Sequence, residues 1–349
     1  MRSFEYDYFL ETPISPPFLT AIRTIGEFKG RQMLYAEQPP DVLETLRRVA
    51  MIQSAESSNR IEGVTVAPGR IDALVLKKTL PMDRPEQEVA GYRDVLSSIH
   101  ANYSKMRLSA DLILNWHKTL YRYTKEKGGE WKTRDNSILE VMPDGKQFVR
   151  FQPVSALATP KFMDRLIKSF NNSTAEGEVD PLLSVATFIL DFECIHPFMD
   201  GNGRIGRLLT LLLLYQSGYE VGRYIGLERI VEESKETYYE ALYKSSQGWH
   251  DAKHDLRPWW NYFIGMLTAA YKEFETRVGT ITSARGAKRE MVMRAVESLP
   301  QHFTIGDLRR VCPGVSYPTL QRALADLRKG KKVKCLGRGP DAEWERIKR

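Results

Sequence analysis

Two segments too apolar to lie on a surface bracket a short polar string in this chain. PLLSVATFILDFEC (181–194) and LLTLLLLY (208–215) are hydrophobic on nearly every helical face, and helices of that kind belong in a protein interior. Neither approaches the roughly 20 apolar residues that a bilayer span requires. The chain is therefore expected to fold around a buried helix pair. The residues between those helices, HPFMDGNGRIGR (196–207), must lie at one end of the pair.

That string combines the side chains of a phosphate site. His196 can move a proton near neutral pH, and Asp200 can hold a hard cation. The Gly201-Asn202-Gly203 turn opens the second helix, so free backbone N–H groups and a positive dipole end face an anion there. Arg204 and Arg207 are three residues apart on one side of that helix and can fork onto phosphate oxygens. Each piece alone has an ordinary structural explanation, whereas a base, a carboxylate, a Gly-flanked turn and two arginines within a dozen residues do not.

Apolar periodicity and caps predict a mainly helical chain. A short helix is expected at 19–28, and one from an Asp41 N-cap to Gly63. Others are expected at 85–105, in DLILNWHKTLYRYT (111–124), at 160–171, in ESKETYYEALYKSSQG and from RPWW (257–260) onward. SILEVMPDGKQFVRFQP, with Asp144-Gly145 between β-branched and aromatic residues, reads as a hairpin. Past a linker near 279–286, three short helices and two strands in about 60 residues give the winged helix-turn-helix pattern. Three domains are expected: 1–84, a helical region; 85–278, the core with the motif; and 285–349, the winged helix.

Charge divides the same way. Residues 285–349 hold 16 Lys/Arg against 7 Asp/Glu, a balance of +9 that leaves the first 284 residues at −2 of the total +7. A basic winged helix is a candidate for DNA through phosphate contacts. Tyr317, Thr319, Gln321 and Arg322 are expected to face outward on its third helix, with Lys329, Lys331, Lys332, Lys334 and Arg338 around the wing. Small winged helices also bind proteins. Cys194, Cys312 and Cys335 lack metal-ligand spacing, and no disulfide framework is expected. The N-terminus lacks the apolar core of a secretory signal. The expectation is a cytoplasmic protein with no membrane partner.

The central string resembles the Fic (Fic/Doc) family signature H-x-F-x-(D/E)-G-N-G-R-x-x-R, filled by His196, Phe198, Asp200, Gly201, Asn202, Gly203, Arg204 and Arg207. The resemblance implies a Fic-type helical core with a hairpin flap. It also implies protein adenylyltransferase chemistry, with AMP passing from ATP to a Ser, Thr or Tyr hydroxyl of a target protein. In this reading His196 deprotonates the hydroxyl and Asp200 holds Mg²⁺. Asn202 and the Gly201–Gly203 turn bind the α-phosphate region, and Arg204 and Arg207 bind the β- and γ-phosphates. Phe198 is buried to fix the loop. The flap hairpin, with strand 138–142 and Thr133 and Arg134 as candidates, docks the target by strand addition. Tyr238 and Tyr239 are adenine-pocket candidates, with helix packing as the alternative.

Ser58, Glu62 and Gly63 fit the family's inhibitory motif (S/T)-x-x-x-E-(G/N). The implied brake pairs Glu62 with Arg207, Ser58 steadying it from one turn earlier. The same Glu62 could instead position water for removal of AMP. Auto-AMPylation and a homodimer are further expectations. A competing reading is a nucleotide-sensing, DNA-binding transcriptional regulator whose Fic core has little turnover. A third keeps the residues and changes the donor to another nucleotide-like compound.

Overall fold

The computed structural model describes residues 3–4, 8, 11–35, 40–67, 69–141, 147–177, 179–299, 301–311, 316–330, 332–337 and 342–347. It divides into two compact units, 1–274 and 275–349. The N-terminal region expected as a separate domain therefore belongs to the same unit as the motif.

In the first unit, α1 (Pro16–Tyr35) and α2 (Pro40–Ile61) precede α3 (Arg70–Leu76), α4 (Arg84–Asn102) and α5 (Ala110–Leu120). Then come β1 (Ile138–Val141), β2 (Gln147–Phe151), α6 (Thr159–Glu176), α7 (Pro181–Ile195), α8 (Asn202–Gln216), α9 (Leu227–Glu233), α10 (Lys235–Ser246) and α11 (Arg257–Ser298). The two apolar segments are α7 and α8, packed on each other, and both are buried along almost their whole length. Asp180 starts α7 by accepting from the Leu182 N–H, with Pro181 in the first turn, a position where its missing donor costs nothing. α4 begins the same way, from Asp83 onto the Glu86 N–H. None of the described helices is long and apolar enough to cross a membrane.

Helix α2 ends where Gly63 turns left-handed at φ 82°, with Gly63 N–H donating to Arg60 O and Val64 N–H to Asn59 O. Glycine at that position avoids the Cβ clash. Helix α9 stapled itself to α2: Gly226 precedes it, and a Cβ there would lie 2.9 Å from Gln53 Cβ. β1 and β2 pair antiparallel, Leu139 opposite Val149, with a register shift at Ile138/Leu139. The Asp144-Gly145 turn and Met142 lie outside the described residues.

Two sequence expectations change. The break near 279–286 is absent from the secondary structure, because α11 is helical through it from Arg257 to Ser298. Gly279 and Gly286 each disfavour helix by about 1 kcal/mol, which long helical neighbours on both sides outweigh. The segment 227–233, not expected as a helix, forms α9, and the helix expected over 233–248 begins after Ser234.

The second unit contains the end of α11, β3 (His302–Thr304), α12 (Ile305–Val311), α13 (Tyr317–Lys329), β4 (Val333–Cys335) and β5 (Glu343–Arg346). Its three strands run in the order β3-β5-β4, antiparallel throughout. Leu320, Ala323, Leu324 and Leu327 form the buried face of α13, packed with Val292, Val296, Phe303, Leu308 and Val333. Strand β3 was not expected from the sequence. Tyr317, Gln321 and Arg322 are exposed, as are Lys329, Lys332 and Lys334, while Thr319 is half-buried; Lys331 and Arg338 lie outside the described residues.

Candidate active site

His196 caps α7 in the left-handed region, φ 50° and ψ 61°, its N–H bonded to Phe192 O. Such a conformation is uncommon for a non-glycine residue, and it turns the chain out of the helix at the motif. Asn202 then ties the loop: its Oδ1 accepts from Phe198 N–H and its Nδ2 donates to Phe198 O, both at 2.8 Å. The carboxamide supplies one acceptor and one donor on separate atoms for that closure. Gly201 (φ 84°) is the N-cap of α8, and a Cβ there would meet Tyr121 Oη and Leu120 Cδ2 at 3.1 Å.

Phe198 is fully buried, its ring stacked on His117 at 3.8 Å between centroids. His117 accepts from Gly129 N–H at Nδ1 (2.9 Å), which leaves Nε2 as the donor to Asp200 O (3.0 Å). Burial drives its pKa down to about 4, so the ring is neutral, in agreement with that bonding. Lys132 supports the loop from the other side. Its N–H donates to Pro197 O, and its buried Nζ donates to Ile195 O and Asn136 Oδ1. Burial lowers that ammonium to about 8.

The motif faces a cavity of about 360 Å³, walled by His196, Glu193, Gly203, Arg207, Glu62, Tyr238, Tyr239 and flap residues including Leu139 and Arg150. The structure thus brings His196, Arg207, Glu62, Gly203 and both tyrosines to one space. Burial raises the Tyr238 phenol far above its ordinary value and the Tyr239 phenol to about 12; both are neutral hydroxyls.

Arg204 and Arg207 diverge. Arg204, 2% exposed, pairs with Glu88 Oε2 at 2.5 Å and Asp200 Oδ2 at 3.1 Å and donates to Tyr121 Oη at 3.1 Å. It is not among the cavity-lining residues, and its guanidinium is held by protein groups. Arg207 instead donates through Nε to Ser58 Oγ (2.8 Å), and through one terminal nitrogen to Ser58 O (2.8 Å) and Glu62 Oε1 (2.7 Å). Burial opposes its charge, but the Glu62 carboxylate holds the guanidinium pKa above its ordinary value.

Glu62 also reaches the start of α8: a Cβ on Gly203 would lie 2.5 Å from its Oε1. Its carboxylate therefore occupies the positive end of that helix as well as the Arg207 guanidinium, both of which attract anions. The sequence-derived trio Ser58, Glu62 and Gly63 is assembled: Gly63 ends the helix, and the other two engage Arg207.

Asp200 has a side chain 67% exposed. Desolvation opposes its ionisation, but the Tyr121 hydrogen bond and Arg204 keep its carboxyl below the ordinary range, helped by Gly201 N–H. Among the described residues no three His, Cys, Asp or Glu side chains converge as a metal cage. Asp200, a single carboxylate already bonded to Gly201 N–H, Tyr121 and Arg204, would supply one ligand to Mg²⁺, which usually takes one or two carboxylates together with substrate phosphates. Sequence reasoning missed His117, Tyr121, Lys132, Glu88 and Glu193, because nothing in their spacing links them to the motif.

Residues 107–214 match the model of the Fic/DOC family. A probable protein adenylyltransferase of Aquifex aeolicus is 29% identical over 99 residues, 28% of this chain and 28% of that one. Protein adenylyltransferase fic-1 of Caenorhabditis elegans is 30% identical over 128 residues, 36% of this chain and 22% of that one. The chain spans from 22% to 46% of the lengths of the curated relatives it matches here. In fold it is similar to a Fic family protein from Desulfovibrio desulfuricans G20, with a TM-score of 0.62 and 24% identity over 97% of this chain and 98% of that one. Residues 107–214 are thus similar to the Fic/DOC domain, and the chain has the fold of a Fic family protein.

Proposed function

We propose that the chain is an autoinhibited protein adenylyltransferase, transferring AMP from ATP to a Ser, Thr or Tyr hydroxyl of a target protein. The observation that carries this reading is one cavity holding His196 and Arg207, with Glu62 on the arginine at 2.7 Å. In the reaction the target hydroxyl oxygen bonds to the α-phosphorus, and the bond from that phosphorus to the bridging oxygen breaks. Pyrophosphate leaves, and His196 accepts the hydroxyl proton. Such a displacement needs positioning, charge neutralisation and a base.

Free of Glu62, Arg207 and the N–H groups at the start of α8 would hold the terminal phosphates. Mg²⁺ at Asp200 would neutralise charge on the phosphates. Asn202 acts by holding the loop shape, and Arg204 by fixing Asp200 and α8. Tyr238 and Tyr239 offer ring surface for the nucleobase. The flap exposes Leu139, Phe148 and Val149, an apolar edge suited to an extended target segment. With Glu62 in place, ATP is denied its Arg207 contact, and the resting state is inactive. The same carboxylate could direct water onto an AMP ester in the reverse task.

Incubation of Glu62→Gly with labelled ATP and a cell lysate, followed by mass spectrometry, identifies the target. Label transfer that also requires His196 supports the reading. No transfer by the released variant, with ATP bound, favours nucleotide sensing instead. For the second unit we read a winged helix whose basic face binds DNA. The support is its +9 balance and the exposed Gln321 and Arg322 on α13.

A further inference from the structure

Glu193 lies three residues before His196 on the cavity wall, and none of the roles above uses it. Its side chain is 12% exposed, and Oε2 stands 3.7 Å from His196 Nδ1. Oε1 of Glu193 and Nδ1 of His196 are each buried with no hydrogen-bond partner among the described residues. The carboxylate fits against α8 only because residue 206 is glycine: a Cβ there would lie 2.3 Å from Glu193 Oε1. A buried carboxylate oxygen normally meets a donor. His196 is the group placed to supply it. The other charged side chains on the cavity are Glu62 and Arg207, which pair with each other, and Arg150 on β2, which donates to Tyr239 O.

We propose that Glu193 is the positioning residue for His196. Its carboxylate draws the ring's N–H to Nδ1 and leaves the Nε2 lone pair free to accept the proton of an incoming hydroxyl. The 3.7 Å separation is too long for a hydrogen bond; it is an ion-pair distance, and such contacts commonly tighten when substrate binds. When Nε2 takes the proton, the ring becomes a cation beside Glu193, which stabilises that state. No atom passes to Glu193. Its part is orientation and charge, as in other carboxylate–imidazole pairs. The helical i,i+3 spacing holds it below the ring, and Gly206 supplies the space.

The inference rests on the proposed chemistry only for its kinetic effect, so its first test needs no turnover. In the full chain with ¹⁵N-labelled histidine, two-bond proton–nitrogen correlation reads the tautomer of the neutral His196 ring, assigned with His196→Ala. The wild type should show Nδ1–H as the major form. Glu193→Ala should return the ring to mainly Nε2–H, the preference of free imidazole side chains. The isosteric Glu193→Gln, which keeps an acceptor and guards against misfolding, should fall between. In the Glu62→Gly background, Glu193→Gln should lower kcat by about 10- to 100-fold and leave KM for ATP within about twofold. An unchanged tautomer in both variants would overturn the inference, as would an unchanged kcat. If Glu62→Gly has no transferase activity, the proposed function fails, while the tautomer result still decides the role of Glu193.

Discussion

At the scale of single residues, the site separates groups that face the cavity from groups that shape it. Arg204 and Arg207 look equivalent on a helical wheel, yet their partners are Glu88, Asp200 and Tyr121 for one and Ser58 and Glu62 for the other. Arg204→Ala would leave the buried Glu88 carboxylate with only the exposed Arg84 as its cationic partner. Breaking a buried pair from one side typically costs about 3–5 kcal/mol, so thermal or urea unfolding should show a large destabilisation. Arg207→Ala should also cost stability, because it takes the donor from the buried Ser58, and it should remove turnover in the Glu62→Gly background. His117 adds a pH dependence. Burial holds its folded pKa near 4, below the ordinary 6.5, so its stabilising contribution is complete above about pH 6.5 and is lost as pH falls toward 4. Urea midpoints should therefore drop between pH 7 and pH 5 in the wild type. The drop should be smaller in a His117→Gln variant, whose side chain does not titrate.

At the scale of elements, the proposed brake is a helix end held by its neighbours. Ser54 donates to the buried Glu228, which also accepts from Tyr92. Arg60 forks onto Glu232 at 2.7 and 2.9 Å, and Lys235 Nζ donates to Ile61 O at 2.6 Å. These bonds fix the last turn of α2 and so aim Glu62. Arg60 is 38% exposed, and a pair of that kind contributes up to about 1 kcal/mol. Arg60→Ala should accordingly raise basal transfer by about two- to fivefold, well short of Glu62→Gly, in the same initial-rate assay. No change in rate would show that α2 keeps its aim without the Arg60–Glu232 pair.

Much of this arrangement was legible before any coordinates. The motif is contiguous, and Ser58, Glu62 and Gly63 fit a spaced pattern, so both could be found along the chain. The buried pair α7 and α8 declared itself by apolarity on every face. What could not be read was pairing across long separations. Glu88 meets Arg204 over 116 positions, and His117 meets Asp200 over 83, with no local signal at either partner. Helix α11 continues through the segment expected as a linker because glycine weakens a helix without forbidding it, and β3 is only three residues long, too short for periodicity to register.

At the scale of the whole molecule, the chain divides into two units of opposite charge balance. The first, 1–274, contains the cavity and the Glu62–Arg207 pair in one compact body, so the proposed inhibition would require no second chain. The second carries the positive balance. If it engages DNA through phosphates, gel shifts of the full chain should weaken steeply from about 50 to 200 mM salt, and reversing the charge of Arg322 and Lys329 together should reduce binding across sequences alike. Loss of neither binding nor salt sensitivity in that variant would point to a different surface. The central claim, that the site is assembled and held off by Glu62, is tested most directly by intact-protein mass spectrometry. Wild type, Glu62→Gly and Glu62→Gly/His196→Ala are each incubated with ATP and Mg²⁺. Self-modification by whole AMP units is expected in Glu62→Gly, little in the wild type and none in the double variant. Equal modification of wild type and Glu62→Gly, or persistence without His196, would contradict it.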